Sequence, residues 1–163
     1  MKALIVVKST HHQNTARVAQ VFAESLQSDI VSPEDVAPEQ IVEYDLVGFG
    51  SGIYFGRFHS AIRKLVRSLP LTQTPRAAFL FSTSGLPFLK PLYHWPLRRR
   101  LNLLGYTLIG EFGCRGFDTF GPLCLIGGLN RKHPDEKDLA RARRFAQQIE
   151  AIREGKLPFP ADA

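Results

Sequence analysis

Seven consecutive polar residues, Ser9-Thr10-His11-His12-Gln13-Asn14-Thr15, follow the apolar run Ala3-Leu4-Ile5-Val6-Val7 after a single Lys8. That run has the pattern of a strand buried on both faces of a parallel sheet. Behind the polar residues, Val18, Val21, Phe22 and Leu26 recur at helical spacing. Strand, hydroxyl-rich loop and helix N-terminus, in that order, suit an anion. The first N–H groups of a helix have no partner within it, and the helix dipole favours negative charge there. Ser9, Thr10 and Thr15 add hydroxyl donors, and Asn14 can donate or cap. A histidine beside a bound dianion is stabilised in its charged form, so His12 should tighten anion binding below neutral pH. An ordinary N-cap on a surface loop accounts for the same residues taken alone. The loop lacks the glycines and the Gly-Lys-Ser/Thr ending of a P-loop, and Gly-x-Gly-x-x-Gly is absent.

Two further loops carry compatible chemistry. After the apolar run Leu46–Gly50 come Ser51-Gly52-Ile53-Tyr54-Phe55-Gly56, and after Ala77–Phe81 come Ser82-Thr83-Ser84-Gly85. Glycines let backbone N–H groups approach a flat heterocycle, and Tyr54 and Phe55 could stack on it or wall it off. Packing of both aromatics beneath the next helix is the plainer alternative, as is a generic strand exit for Ser82–Gly85. Three such loops at strand ends coincide less readily by chance, and together they point to one ligand site.

The elements that must position these loops alternate. Strands are expected at Ala3–Val7, Asp29–Val31, Leu46–Gly50, Ala77–Phe81 and Thr107–Cys114. Helices are expected at Asn14–Leu26, briefly at Glu39–Val42, at Ser60–Leu69, around Leu97–Leu104 after a Pro-rich loop, and from Pro134 onward. A long loop rich in Gly, Phe and Leu spans Arg115–His133. Five strands with intervening helices predict a doubly wound α/β sandwich. Right-handed crossovers make its sheet parallel, with order 2-1-3-4-5. The organisation expected is one domain over residues 1–154 and a tail over 155–163.

The motifs carry a resemblance. Residues Thr10–Thr15 fill the frame of the flavodoxin phosphate loop, Ser/Thr-x-Thr-Gly-Asn-Thr, with Asn14-Thr15 matching and His12-Gln13 departing from Thr-Gly. Ser51–Gly56 resembles the Ser-Pro-x-Tyr-x-Gly loop of flavodoxin-like quinone reductases, with Gly52 in place of Pro, which implies a less rigid loop. Gly56-Arg57-Phe58-His59 resembles in part the Gly-His-x-His of flavodoxin-like protoporphyrinogen dehydrogenases. The chain is therefore identified with the flavodoxin-like FMN-binding proteins. The resemblance implies FMN as cofactor. Ser9, Thr10, His11, His12, Gln13, Asn14 and Thr15 would take the phosphate. Ser51, Gly52, Ile53, Tyr54, Phe55 and Gly56, with Ser82, Thr83, Ser84 and Gly85, would cradle the ring. No catalytic side chain is needed if the task is electron transfer. The alternatives are an FMN-dependent oxidoreductase acting on a quinone or porphyrinogen, and a flavin-free module of the same fold. The first would use the Arg115–His133 loop as a substrate wall and His59 or His94 as proton donor. The second would bind a partner through a basic face.

Charge patterning bears on that partner. The net charge is +6, and no Asp or Glu occurs from Leu46 to Gly110, whereas Arg57, Arg63, Lys64, Arg67, Arg76, Lys90 and Arg98–Arg100 do. An anionic ligand, an acidic redox partner protein or a quinone-like acceptor fits such a segment. Cations near the ring would also make its lower couple less negative than in an acidic flavodoxin. No helix-turn-helix, zinc-finger or RNA-binding signature is present, so nucleic acid is not expected. His11, His12, His59, His94 and His133 lack metal-ligand spacing, and Gly48–Gly52 is not a nucleophile elbow. Cys114 and Cys124 have no redox or metal spacing and are expected as buried thiols. Hydrophobic residues make up 44% of the chain, yet no apolar stretch approaches a membrane span and no signal peptide is seen. The expected setting is the bacterial cytoplasm.

Overall fold

The computed structural model describes residues 2–10, 13–116 and 133–158. Its strands are β1 (Ala3–Lys8), β2 (Asp29–Val31), β3 (Leu46–Tyr54), β4 (Arg57–Phe58), β5 (Arg76–Ser84) and β6 (Tyr106–Arg115). Its α-helices are α1 (Asn14–Leu26), α2 (Pro38–Ile41), α3 (Ser60–Ser68), α4 (Lys90–Leu103) and α5 (Glu136–Arg153). The main sheet is parallel, with order β2-β1-β3-β5-β6. This is the expected doubly wound order. The strand that composition did not suggest is β4, which pairs antiparallel with the end of β3.

Alternation along the strands divides the core. Ala3, Ile5 and Val7 of β1 face one way, against α1 and α5, and Leu4 and Val6 face the other, against α3 and α4. On the α1/α5 face, Phe22 meets Phe79, Phe81 and Phe112 edge-on, with ring centroids 5.0–5.5 Å apart. Glycine makes room for this. A Cβ on Gly48 would lie 2.4 Å from the Phe79 ring, and one on Gly50 would lie 2.1 Å from that of Phe81. The opposite core is mostly aliphatic, built from Val47, Ile62, Leu65, Val66, Leu80, Leu97 and Leu101 among others.

Four boundaries differ from expectation. Strands β3 and β5 run on through Tyr54 and Ser84, so Ser51–Tyr54 and Ser82–Ser84 are strand, not loop. A short 3-10 turn (Pro87–Leu89) leads into α4, which begins at Lys90 and keeps Pro96 inside it. Pro87 and Pro91 stand in first turns, where proline gives up no intrahelical N–H bond, whereas Pro96 gives one up inside α4. Helix α5 starts after Pro134, with Asp135 as its cap accepting from Asp138 N at 2.9 Å.

Candidate functional site

Register sets the site. Lys8 pairs with Ser51, Ser51 with Ser82, Gly52 with Thr83, and Thr83 with Cys114. The carboxyl ends of β1, β3 and β5 therefore lie level, and the polar residues that end them form one row. Ligands of open α/β sheets bind beyond such ends, where strand order reverses. Here the reversal lies between β1 and β3.

At β1, Gln13 is left-handed (φ 54°) and precedes the first residues of α1. A left-handed residue leading into a right-handed turn gathers successive N–H groups into an anion-binding concavity. Asn14 and Thr15 are buried in the first helical turn; Gln13, not Asn14, occupies the cap position. Among the described residues Ser9 Oγ, which is buried, has no hydrogen-bond partner, an arrangement that costs free energy unless a ligand supplies one. His11 and His12 lie outside the described residues.

Hydroxyl pairs join the three strand ends. Thr15 Oγ1 and Thr83 Oγ1 are 2.8 Å apart and buried. The Thr10 hydroxyl bonds to the Tyr54 hydroxyl. In the Thr15–Thr83 pair one hydrogen is used within the pair and one remains, a donor suited to an anion. Gly116 closes the back: a Cβ there would sit 3.0 Å from Asn14 Nδ2 and 3.1 Å from Thr83 Cβ.

The β3 residues frame a hollow of about 640 Å³ lined by Thr10, Tyr54, Phe55, Arg57, Phe58, His59, Ser60 and Arg63. Phe55 and Gly56 both have positive φ, 49° and 72°, so the β3–β4 hairpin turns through two left-handed residues. Glycine adopts this freely, whereas an aromatic residue does so at a cost. Phe55 stands 85% exposed at this turn. Gly52 is strand, and its missing side chain admits the Tyr54 hydroxyl, which a Cβ would meet at 2.9 Å. Ile53 packs against the α3/α4 core. Ser51 Oγ is turned inward, accepting from His59 N at 2.9 Å and donating to Gly52 O at 2.7 Å.

His59 Nδ1 accepts from Ala61 N at 3.1 Å and so caps α3. That bond holds the ring neutral with its Nε2 proton, and burial with the Lys8 charge lowers its pKa. Among the described residues it is the imidazole that lines the hollow. His94, the other proton-donor candidate, is fully buried behind the row, with Nε2 2.8 Å from Ser82 Oγ. Burial, aided by Lys90 and Arg98, pushes it down to about 3. Glu111 comes within 3.7 Å of its Nδ1, but Arg98 already grips that carboxylate through two bonds of 2.8 Å. A neutral His94 holds Ser82 in place and cannot reach a substrate.

At β5, Ser82, Thr83 and Ser84 are buried, and Ser84 O accepts from Gly116 N at 3.1 Å; Gly85 follows the strand. The sequence offers His94 as a proton donor, not as a support for Ser82. Its spacing from Leu97 and Leu101 along a helix was the available signal. Of the proposed substrate wall, residues 117–132 lie outside the described residues. Cys114 is buried, its thiol pushed up to about 12, so it supplies no thiolate. Cys124 lies outside the described residues. Of the cations expected near the ring, Arg57 lines the hollow, whereas Lys90 donates to Glu111 O at 2.8 Å and Arg98 to the Glu111 carboxylate.

Comparison with known proteins agrees with this geometry. The flavodoxin domain model matches residues 4–86, which contain all three strand ends. The chain belongs to the flavodoxin domain family. It is 47% identical over 149 residues to an uncharacterized protein of Methanocaldococcus jannaschii, covering 91% of this chain and 98% of that one. That relative is archaeal and lends no support to a bacterial source. Among solved structures, a flavodoxin from the domain Archaea superposes with TM-score 0.67 at 18% identity, covering 96% of this chain and all of that one. Oxidised flavodoxin 2 from Bacillus cereus gives 0.70 at 17%, covering 92% and 98%. The rubredoxin oxygen:oxidoreductase of Desulfovibrio gigas gives 0.72 at 16%, with 96% of this chain on 37% of that protein. At these identities the structures show the fold, and the family match supports a flavodoxin-type redox protein. No helix among the described residues is long and apolar enough to cross a membrane.

Proposed function

We propose that this flavodoxin-family chain binds FMN and passes electrons through it to a partner in the cytoplasm. The observation that carries the reading is the level row of hydroxyls at the carboxyl ends of β1, β3 and β5, with the buried Ser9 hydroxyl unpartnered among the described residues at its β1 end. FMN supplies the redox chemistry when bound. Ser9, Thr10 and the first turn of α1, from Gln13 to Thr15, would hold its phosphate, with His11 and His12 in the same loop. Ser51 to Gly56 and Ser82 to Gly85 would border its ring, the exposed Phe55 forming a wall. Purified protein is expected to be yellow or to become so with FMN, and to release FMN on heating. Protein that stays colourless and does not quench FMN fluorescence overturns this reading in favour of a flavin-free binding module.

One observation favours a second reading, an FMN-dependent oxidoreductase acting on a quinone or porphyrinogen. His59 borders a hollow that Arg57 and Arg63 also line, so a neutral imidazole and two cations lie beside the ring loop. Turnover of a quinone with a nicotinamide donor, lost in His59→Asn, would select it. Flavin reduction without such turnover selects electron transfer.

A further inference from the structure

Helix α4 is apolar on two sides. Its inner side packs in the core through Tyr93, Leu97 and Leu101, and its outer side leaves Leu92, Trp95 and Leu103 exposed, at 69%, 54% and 64%. Phe88, in the turn before it, is 73% exposed. Positions 88, 92, 95, 99 and 103 follow helical spacing, and Arg99 lies over the Trp95 ring at 5.7 Å. Monomeric proteins seldom leave a contiguous apolar ridge of this kind in water without a use for it.

Beside the ridge lies a groove of about 310 Å³ between α3 and α4, floored by Phe58, Val66, Tyr93, Pro96 and Leu97 and edged by Arg57, Arg63, Arg67 and Arg100. Backbone carbonyls hold two of these guanidinium groups: Arg63 Nε donates to Phe58 O at 3.1 Å, and Arg100 donates to Arg67 O at 3.2 Å. Among the described residues, no carboxylate pairs with any of the four. Four guanidinium groups without a carboxylate partner among the described residues, set around an apolar floor, match carboxylates flanking an apolar side chain.

We propose that the α3–α4 face is a docking surface for an acidic segment of a partner protein. One apolar side chain of that segment seats between Val66 and Leu97, its carboxylates lie on Arg57, Arg63, Arg67 and Arg100, and its apolar flank covers Leu92 and Trp95. Charge selects this occupant. An isologous contact with a second copy would set these arginines against themselves. A flat lipid surface leaves a concave groove unfilled, whereas a protruding side chain fills it. Arg57, Phe58 and Arg63 border both this groove and the hollow beside Phe55, so a docked segment reaches the ring loop. In that role the surface rests on the electron-transfer reading, but binding is measured with and without FMN, so the two fail separately.

Trp95 is the chain's single tryptophan, so its emission reports on the face directly. The probes are a synthetic peptide with one Phe flanked by glutamates, the same peptide with Ser for Phe, a lysine counterpart, and phosphatidylserine vesicles. The expected result is a blue shift with the Glu-Phe peptide, weakened by salt and by Phe→Ser. R67E/R100E should weaken binding about tenfold or more, whereas R144E on α5 should leave it unchanged. Unchanged FMN affinity and melting temperature in R67E/R100E would show that the loss is not misfolding. Leu92→Ser, which alters no charge, should weaken the same peptide to a smaller degree. No shift with the Glu-Phe peptide, equal binding of the lysine peptide, or a shift with vesicles alone would overturn the proposal.

Discussion

The two faces of the sheet are built on different terms. On the α1/α5 face, aromatic rings interlock over a glycine track, and Phe22 and Phe81 are fully buried. On the α3/α4 face, aliphatic side chains seal the sheet, but the outer side of α4 stays apolar and uncovered beside a groove edged by arginines. The first face is spent on stability. The second is stable enough to hold the strand ends and leaves surface for recognition. The site sits where the two meet, at the carboxyl edge.

The comparison breaks most visibly at Phe22. Phe22→Ala removes the ring that touches Phe79, Phe81 and Phe112, and should cost about 3–5 kcal/mol in denaturant unfolding. A cost near that of a surface change would mean that the aromatic cluster is not the anchor. Gly50→Ala comes next, because its Cβ would lie 2.1 Å from the Phe81 ring. Overpacking of this kind should cost about 1–3 kcal/mol. A neutral result would show that the Phe81 ring moves aside freely.

His94 sharpens the comparison from the other side. Its folded pKa is about 3 against an ordinary 6.5, so between those values the unfolded chain binds more protons. Stability should therefore fall as pH drops from about 6.5 toward about 3. His94→Gln should flatten that part of the profile in melts run across the window. An unchanged slope would place the acid sensitivity elsewhere. Glu34, which Lys8 and Ser32 hold down to about 2, adds a separate loss, beginning below its ordinary value of 4.5 and complete only below about 2. The smallest effect is expected on the outer side of α4. Leu92→Ser and Leu103→Ser should each change stability by within about 0.5 kcal/mol. A large loss would mean that this ridge is structural and not free for a partner.

The sequence showed the parallel strand order, because buried runs such as Ala3–Val7 and Ala77–Phe81 alternate with helical stripes. It also showed α1 with its ends, since Val18, Val21, Phe22 and Leu26 have one period and a polar loop stands before them. It did not show that β3 runs to Tyr54. Gly50, Ser51 and Gly52 have loop composition, and only Phe81 and Tyr54, brought near by the fold, explain why glycine serves a strand there. The sequence showed the second half of α4 through Leu97 and Leu101, but its first turns, from Lys90, were hidden for a related reason. Apolar on two sides, the helix has almost no amphipathic signature, and its prolines imitate a loop. The hydroxyl pairs across the site join residues as far apart as Thr15 and Thr83, which no local pattern reports.

The central claim is that the level row of hydroxyls is a phosphate and flavin site. Its most direct test is a pair of titrations, FMN and riboflavin, against the native chain and a Thr15→Val/Thr83→Val variant. The phosphate contacts proposed should make FMN bind about tenfold or more tighter than riboflavin, and the double variant should lose most of that difference while keeping its fold. Equal affinity for the two flavins in the native chain, or a preference for FMN that the variant leaves intact, would contradict it.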